Sequence, residues 1–177
     1  MTEKIRGFEV VKEDARVAHE TFKGENGKVV QIPVEIKLPT RADSKSSGYD
    51  FYLPKELRLE PMQKTVVFTD VKAYMQDDEE LLLFIRSSLA IKQGLMLSNN
   101  VGKIDSSYYN NEDNDGNIGV PLVNTTGKTI ILQAGTRFAQ GTFYKYLTAD
   151  VDDTLHEERK GGFGSSDREE EKETESC

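Results

Sequence analysis

The sequence predicts an all-β domain of the sandwich, barrel or jelly-roll type. Apolar residues fall into many short bursts, turn residues interrupt the chain at intervals of about 8–12 residues, and a single stretch carries helix signals. The first 33 residues are weakly patterned: a polar, glycine-containing stretch from Thr21 to Lys28 separates two apolar segments, Phe8–Val11 and Val29–Ile32, as in a hairpin or an appended loop. From Val34 the signal sharpens. Val34, Ile36 and Leu38 alternate with Glu35 and Lys37, the period of a half-buried strand, and Pro39 closes the run. Further strands are expected at Tyr49–Leu53, Thr65–Val71, Leu81–Ile85, Leu95–Leu97, Ile118–Val123, Thr129–Leu132 and Phe138–Tyr146. Asp115-Gly116, Thr126-Gly127 and Ala134-Gly135 supply turns between them. Acids before Leu81–Ile85 hint at a helix there, but five consecutive apolar residues suit a buried strand better. The one helix expected is Leu89–Gln93, with Ser87 or Ser88 as its cap and Gly94 as its stop.

The chain has 177 residues, enough for one domain with tails. Its 36% hydrophobic content, gathered in bursts, argues against global disorder. No apolar run reaches the roughly 18 residues of a membrane span, and the opening residues lack the apolar core of a signal peptide, so a cytoplasmic protein without membrane contact is expected. The one cysteine, Cys177, excludes an intrachain disulfide and any cysteine-rich metal cluster. Residues 165–177 hold six acids against Arg168 and Lys172, so half of the net charge of −8 lies in this acidic tail. An acidic surface without basic clusters argues against a duplex nucleic-acid partner, whose binding rests on neutralising phosphates. A small anionic ligand needs only a few placed cations.

Such cations occur. Arg86-Ser87-Ser88 joins a buried strand to the short helix, where free backbone N–H groups, an arginine and two hydroxyls could hold an anion. An ordinary helix start with a surface arginine is the plainer alternative. Arg159-Lys160-Gly161-Gly162-Phe163-Gly164-Ser165-Ser166 is basic, glycine-rich and hydroxyl-bearing, which suits phosphate, with Phe163 able to stack on a base; a linker into the tail is the alternative. Asp105 follows the apolar stretch Val101–Ile104 and stands near Tyr108, where a carboxylate could take a proton from water or simply form a turn. Asn111–Gly116 resembles the start of a calcium loop but has Leu122 at the twelfth position, where a bidentate Glu is required. A hairpin tip turning at Asp115-Gly116 is the better expectation. His19 and His156 have no partners at metal-ligand spacing.

Taken in order, these segments resemble the homotrimeric dUTPase family over about residues 34–166. Five motifs carry the resemblance. They are Ser47-Gly48-Tyr49-Asp50; Arg86-Ser87-Ser88-Leu89-Ala90; Asn99 to Tyr108 with Ile118–Asn124 as the return strand; Gly135-Thr136-Arg137-Phe138-Ala139-Gln140; and Gly161-Gly162-Phe163-Gly164-Ser165-Ser166. The resemblance implies a jelly-roll-like distorted β-barrel with one short helix, assembled as a trimer whose active sites draw on three chains. It divides the chain into an N-terminal extension (1–33), a β-domain (34–157), a glycine-rich arm (158–166) and an acidic tail (167–177). It implies hydrolysis of dUTP to dUMP and pyrophosphate, with Mg²⁺ carried on the triphosphate and no metal ligand from the protein. Asp105 would then activate the attacking water. Arg86, Ser87, Ser88, Gln140, Arg159, Lys160, Ser165 and Ser166 would hold the phosphates. Asn99, Gly102, Ile104, Tyr108 and Phe163 would bind uracil and deoxyribose, with Tyr108 leaving no room for a 2′-hydroxyl, and Asp50 would support the arrangement from behind.

Four departures stand out. Glu158 occupies the usual arginine position of the last motif, with Arg159 one residue nearer the glycines; Ser88 replaces a common Gly; Asn110–Asp115 lengthens the hairpin after Tyr108; Asp167 replaces a frequent Gly. Two rivals share the fold. A dCTP deaminase needs a glutamate where this chain has Pro121, which cannot transfer a proton. A regulatory nucleotide-binding module would use the insertion and the tail as contact surfaces.

Overall fold

The computed structural model describes residues 4–23 and 28–151. In chain order the strands are β1 (Gly7–Val10), β2 (His19–Lys23), β3 (Val29–Pro33), β4 (Thr40–Arg41), β5 (Tyr49–Tyr52), β6 (Leu57–Leu59) and β7 (Lys64–Phe68). Then come β8 (Val71–Tyr74), β9 (Glu79–Ile85), helix α1 (Ser87–Gln93), β10 (Leu95–Leu97), β11 (Gly102–Asp105), β12 (Gly119–Asn124), β13 (Ile130–Leu132) and β14 (Arg137–Lys145). The largest sheet runs β11-β9-β14-β5-β4, and a second runs β10-β12-β7. Three two-stranded pairs, β1-β8, β13-β6 and β2-β3, complete the set, and among the described residues no sheet closes into a barrel. Each pairing is antiparallel.

The core lies between these sheets and is filled by alternating residues, as period-two strands require. Leu81 and Leu83 of β9, Phe51 of β5 and Phe138 of β14 meet Val120 and Leu122 of β12, all nearly inaccessible to solvent. Gly141 of β14 is crowded by Phe51, Leu81 and Leu83; a Cβ there would come within 2.9–3.1 Å of their side chains. This close approach lets β5 and β9 flank β14 without a gap.

Several expectations need correction. Val34–Leu38 is extended but joins no strand ladder; pairing stops at Pro33 and resumes at Thr40. Prolines at 33 and 39 lack the N–H a ladder needs, yet Val34 and Ile36 still turn inward while Glu35 and Lys37 face solvent. The alternation therefore reported one-sided packing rather than pairing. The expected strand Thr65–Val71 is two strands, β7 and β8, broken at Asp70, whose φ of 54° is left-handed. The N-terminal hairpin forms, but its first arm is β2; Phe8 belongs to β1, which pairs with β8. Neither serine caps α1: Arg86 holds the cap position without a side-chain bond, and the helix begins at Ser87. Gly94 ends it at φ 66°, as expected.

Candidate active site

Two groups of predicted site residues sit at opposite ends of the large sheet. The first surrounds the end of β9, where Arg86 leaves the strand. Its Nε lies 3.0 Å from Oδ1 of Asp50 on β5, and Arg137 Nη1 on β14 lies 3.1 Å from the other oxygen. Asp50 is only 5% exposed, so one buried carboxylate fixes two guanidinium groups. Register explains how both arginines reach it. Gln140 stands opposite Asp50 on one side and Phe84 on the other, so these share a face. Arg137 lies three residues from Gln140 and in a regular strand would point the opposite way. A bulge between Arg137 and Ala139 restores it to the Asp50 face, opposite Tyr52.

These residues border an open cleft of about 570 Å³ lined by Lys37, Tyr52, Arg86, Ser88 and Arg137 among others. Lys37 Nζ sits 4.0 Å from the Tyr52 ring centre, and the Tyr52 hydroxyl is 2.7 Å from Thr40 Oγ1. Three cationic heads against one buried carboxylate leave the cleft positive, as an anion requires. Ser88 is exposed at its rim, Ser87 is exposed beside it at the start of α1, and Gln140 is half-buried with its amide oxygen beside Gly48.

The second group lies at the end of β11, the outer strand of the large sheet. Asp105 closes the strand with its side chain 48% exposed, directly opposite Glu80 of β9. Two facing carboxylates repel, and Lys103 relieves this: its Nζ is 3.2 Å from Glu80 and 3.6 Å from Asp105. The hydrogen bond to Glu80, aided by the charge of Asp105, raises the Lys103 pKa above its ordinary value, so the ammonium persists. A 3₁₀ turn over Ser106–Tyr108 then brings in the aromatic ring. Tyr108 is 9% exposed and donates from its hydroxyl to the Asn117 carbonyl at 3.1 Å.

Other predicted residues of this group take more varied places. Asn99 lies in the exposed turn between β10 and β11, where Val101 N–H donates to its carbonyl at 2.7 Å and Asn100 has a φ of 64°. Gly102 packs on Leu83, whose Cβ would lie 3.0 Å from an added Cβ. Ile104 sends its side chain into the core, so any ligand contact it makes uses the backbone of the outer strand edge. The expected hairpin is not a paired one. β10 pairs with β12 and β11 with β9, so the turn bridges two sheets. Nor does Asp115-Gly116 form a solvent-facing tip: Asn111, Asp115 and Asn117 are buried.

The two groups do not converge within one chain. Asp105 faces Glu80, and Arg86 lies six residues farther along β9, roughly 20 Å at the usual rise of a strand. Arg159, Lys160, Phe163, Ser165 and Ser166 fall outside the described residues.

A family model described as dUTPase matches residues 34–167, most of the chain and all of this architecture from β4 onward. The chain belongs to the dUTPase family. A deoxyuridine 5'-triphosphate nucleotidohydrolase of Lactococcus lactis subsp. lactis (strain IL1403) is 38% identical over 164 residues, covering 92% of this chain and 98% of the relative. That of Clostridium novyi (strain NT) is 31% identical, covering 73% of this chain and 89% of the relative. The crystal structure of dUTPase from Streptococcus mutans superposes with a TM-score of 0.66 at 38% identity, over 82% of this chain and 99% of that one. A dUTPase from phage phi11 of S. aureus, at 20% identity and a TM-score of 0.62, shares the fold.

Within this dUTPase-family chain the cleft holds residues that sequence reasoning did not assign. Arg137 lies inside Gly135–Gln140, but no sequence signal announces the bulge that turns it toward Asp50. Lys37 and Tyr52 sit on segments recognised only as strand-like. The cation–π contact that joins them comes from tertiary packing alone.

Proposed function

We propose that this chain hydrolyses dUTP to dUMP and pyrophosphate, with Asp105 as the base that activates water. The observation that carries the reading is the division of one sheet into a cationic cleft and, about 20 Å away, a carboxylate beside a held aromatic ring. A triphosphate suits the first and a nucleoside the second, but one chain cannot offer both to the same molecule. A site shared between copies can, which supports a homotrimer with each nucleotide bound at a junction.

In this reading Asp105 accepts the proton as the water oxygen bonds to the α-phosphorus, and the bond from that phosphorus to the bridging oxygen breaks in line. Pyrophosphate leaves with the bridging oxygen. Arg86 and Arg137, held by Asp50, spread the charge that builds on the phosphate oxygens, with Ser87, Ser88 and Gln140 as further donors. Arg159, Lys160, Ser165 and Ser166 add contacts from the arm, and Phe163 covers the base. Asn99, Gly102 and Ile104 offer backbone groups to uracil, and Tyr108 packs on the deoxyribose. The cleft is cationic, and in this reading Mg²⁺ arrives on the triphosphate without a ligand from the protein. When bound there, the ion screens phosphate charge. No helix among the described residues is long and apolar enough to cross a membrane. The proposed reaction is cytoplasmic.

The test is pyrophosphate release from dUTP, dCTP, dTTP and UTP with and without Mg²⁺, with product bases identified by chromatography. Metal-dependent release from dUTP alone is expected; conversion of dCTP to a uracil product, or tight dUTP binding with no release, overturns the reading. The shared site has its own test. Mixing Asp105→Asn and Arg86→Ala chains after dissociation should restore activity that neither variant has, and no restoration would refute a junction between copies.

A further inference from the structure

We propose that the segment Asn110–Asp115 is a positioning element for Tyr108, acting through Asn114, and that it sets how strongly the site separates deoxyribose from ribose. This rests on the reading above that Tyr108 meets the sugar.

The segment does not project into solvent as an insertion in a hairpin would. Asn110 and Asp115 both adopt left-handed φ values of 57°, and Gly116 follows at 80°, folding the chain back beneath Tyr108. The approach is close enough that a Cβ at Gly116 would lie 2.8 Å from the Tyr108 carbonyl oxygen. Asn114 Nδ2 then donates to the Tyr108 hydroxyl at 2.9 Å and to the Asn117 carbonyl at 3.3 Å, the carbonyl to which that hydroxyl itself donates. Asn111 Nδ2 donates to the Tyr108 carbonyl and to Asn114 Oδ1, both at 2.9 Å. The ring is thereby held at its hydroxyl and at its own backbone.

The segment is itself fixed. Asn111 Oδ1 accepts from the N–H groups of Asp113 and Asn114, and Asn114 Oδ1 accepts from Gly116 N–H, so two side chains close the loop. Its far end is tied to the body: Asp115 Oδ2 accepts from Lys72 Nζ at 2.7 Å and from Lys12 N–H at 2.8 Å. Lys72 Nζ also donates to Asn110 Oδ1 at 2.5 Å. Asn117 completes the frame by donating to the Ala15 carbonyl and to Asp70.

Steric exclusion of one hydroxyl requires a surface that does not yield. A methylene-sized difference is worth only about 10–200-fold in a pocket, and a ring free to tilt would surrender part of that. The hydrogen bonds from Asn114 remove this freedom, so the insertion contributes rigidity to a contact made by another residue.

Asn114→Ala removes the donor to Tyr108 and the acceptor for Gly116, and leaves no acceptor at position 114 to which the Tyr108 hydroxyl could donate instead; Asn114→Ser puts only a short hydroxyl there. Tyr108→Phe deletes the hydroxyl and keeps the ring. For each folded variant, kcat/KM is measured for dUTP and UTP, with Kd for dUDP and UDP as a readout independent of turnover. The dUTP-to-UTP ratio should fall about tenfold in Asn114→Ala and Tyr108→Phe, with kcat for dUTP in Asn114→Ala within about threefold of the parent. The double variant should lose no more than either single one, because both cut the same link. An unchanged ratio in the Asn114 variants, or additive losses, overturns the proposal. Tyr108→Ala separates the two failures: if it retains the sugar preference, the assignment of Tyr108 itself falls; if it loses the preference while Asn114→Ala keeps it, only the role of Asn114 falls.

Discussion

Asp70→Asn tests the arrangement that ties the N-terminal segment to the part of the molecule that carries Asn117 and Tyr108. Asp70 is fully buried. Its Oδ1 accepts from Val17 N–H at 2.9 Å and Asn117 Nδ2 at 2.8 Å, its Oδ2 accepts from Ala18 N–H at 2.9 Å, and Arg16 Nε lies 3.8 Å away. Asparagine fits the volume and tolerates the left-handed φ, so backbone strain does not enter. It offers one acceptor where the carboxylate offers two. If its oxygen takes the Oδ1 place, the amide nitrogen confronts Ala18 N–H and Arg16, and a buried donor is left unpaired at about 1–3 kcal/mol. The two remaining bonds fall from charge-assisted to neutral strength, about 1 kcal/mol each. The expected loss is therefore about 3–5 kcal/mol, and at about 2–4 °C per kcal/mol for a chain of this size the melting point should drop by about 6–20 °C. Urea unfolding at pH 7 and fixed protein concentration, followed by far-ultraviolet circular dichroism, measures it. A loss below about 1 kcal/mol would refute the account of Asp70 as a buried hub.

Asp105→Asn should lower kcat for dUTP by at least about a hundredfold while dUTP binding stays within a few-fold, as calorimetry would show; near-normal turnover would remove Asp105 from the chemistry. Arg137→Ala should raise KM for dUTP by about tenfold, with little change for a substrate lacking the terminal phosphates, because a charge-assisted phosphate contact is lost. Burial and the hydrogen bond to Glu9 push the Tyr109 hydroxyl up to about 12. Its folded pKa exceeds its unfolded value near 10, so its contribution to stability is complete below about pH 10 and is lost as pH rises toward 12. Tyr109→Phe should flatten that alkaline decline in urea midpoints relative to the parent, and identical pH profiles would contradict the shift. Asp115 shows the opposite sign. Burial pushes its carboxyl up, but hydrogen bonds from Lys72 and Lys12 outweigh this and hold it below the usual range. Its stabilisation is present above about pH 4 and lost as pH falls further, so Asp115→Asn should reduce the acid dependence of unfolding between about pH 4 and 2.

Residues whose neighbours are close in sequence, or whose pattern repeats at period two, were legible before the structure. β5, β9, β10, β12 and β13 follow from apolar runs, and Gly94 stops α1 because a left-handed residue was needed there. What local pattern could not express was pairing. Val34–Leu38 alternates as a strand should, yet prolines at both ends keep it out of a ladder. The bulge before Ala139 is invisible in Arg137-Phe138-Ala139-Gln140, although it decides that Arg137 faces Asp50. Asn110–Asp115 reads as polar surface by composition. It is partly buried because its side chains satisfy one another and because Lys72, in the middle of an apolar strand, supplies the countercharge.

The anchoring of Asn117 and Asp115 by the N-terminal segment also sets an order of events during synthesis. Lys12 and Ala15 are separated from their partners by 103 and 102 residues, and Val17 from Asp70 by 53. At a ribosomal speed of about 5–20 residues per second, residues 12–18 wait several seconds for Asp70 and longer for Asp115 and Asn117. Until those residues arrive, the backbone N–H groups of Val17 and Ala18 have only water to bond. Long-range closure of this kind is slow, so the ledge that carries Tyr108 should be among the last parts of the nascent chain to set. A cell that stalls translation before residue 117 holds a polypeptide without the frame beneath Tyr108, and also without Arg137 and the central strand β14, so the cationic cleft is unmade as well.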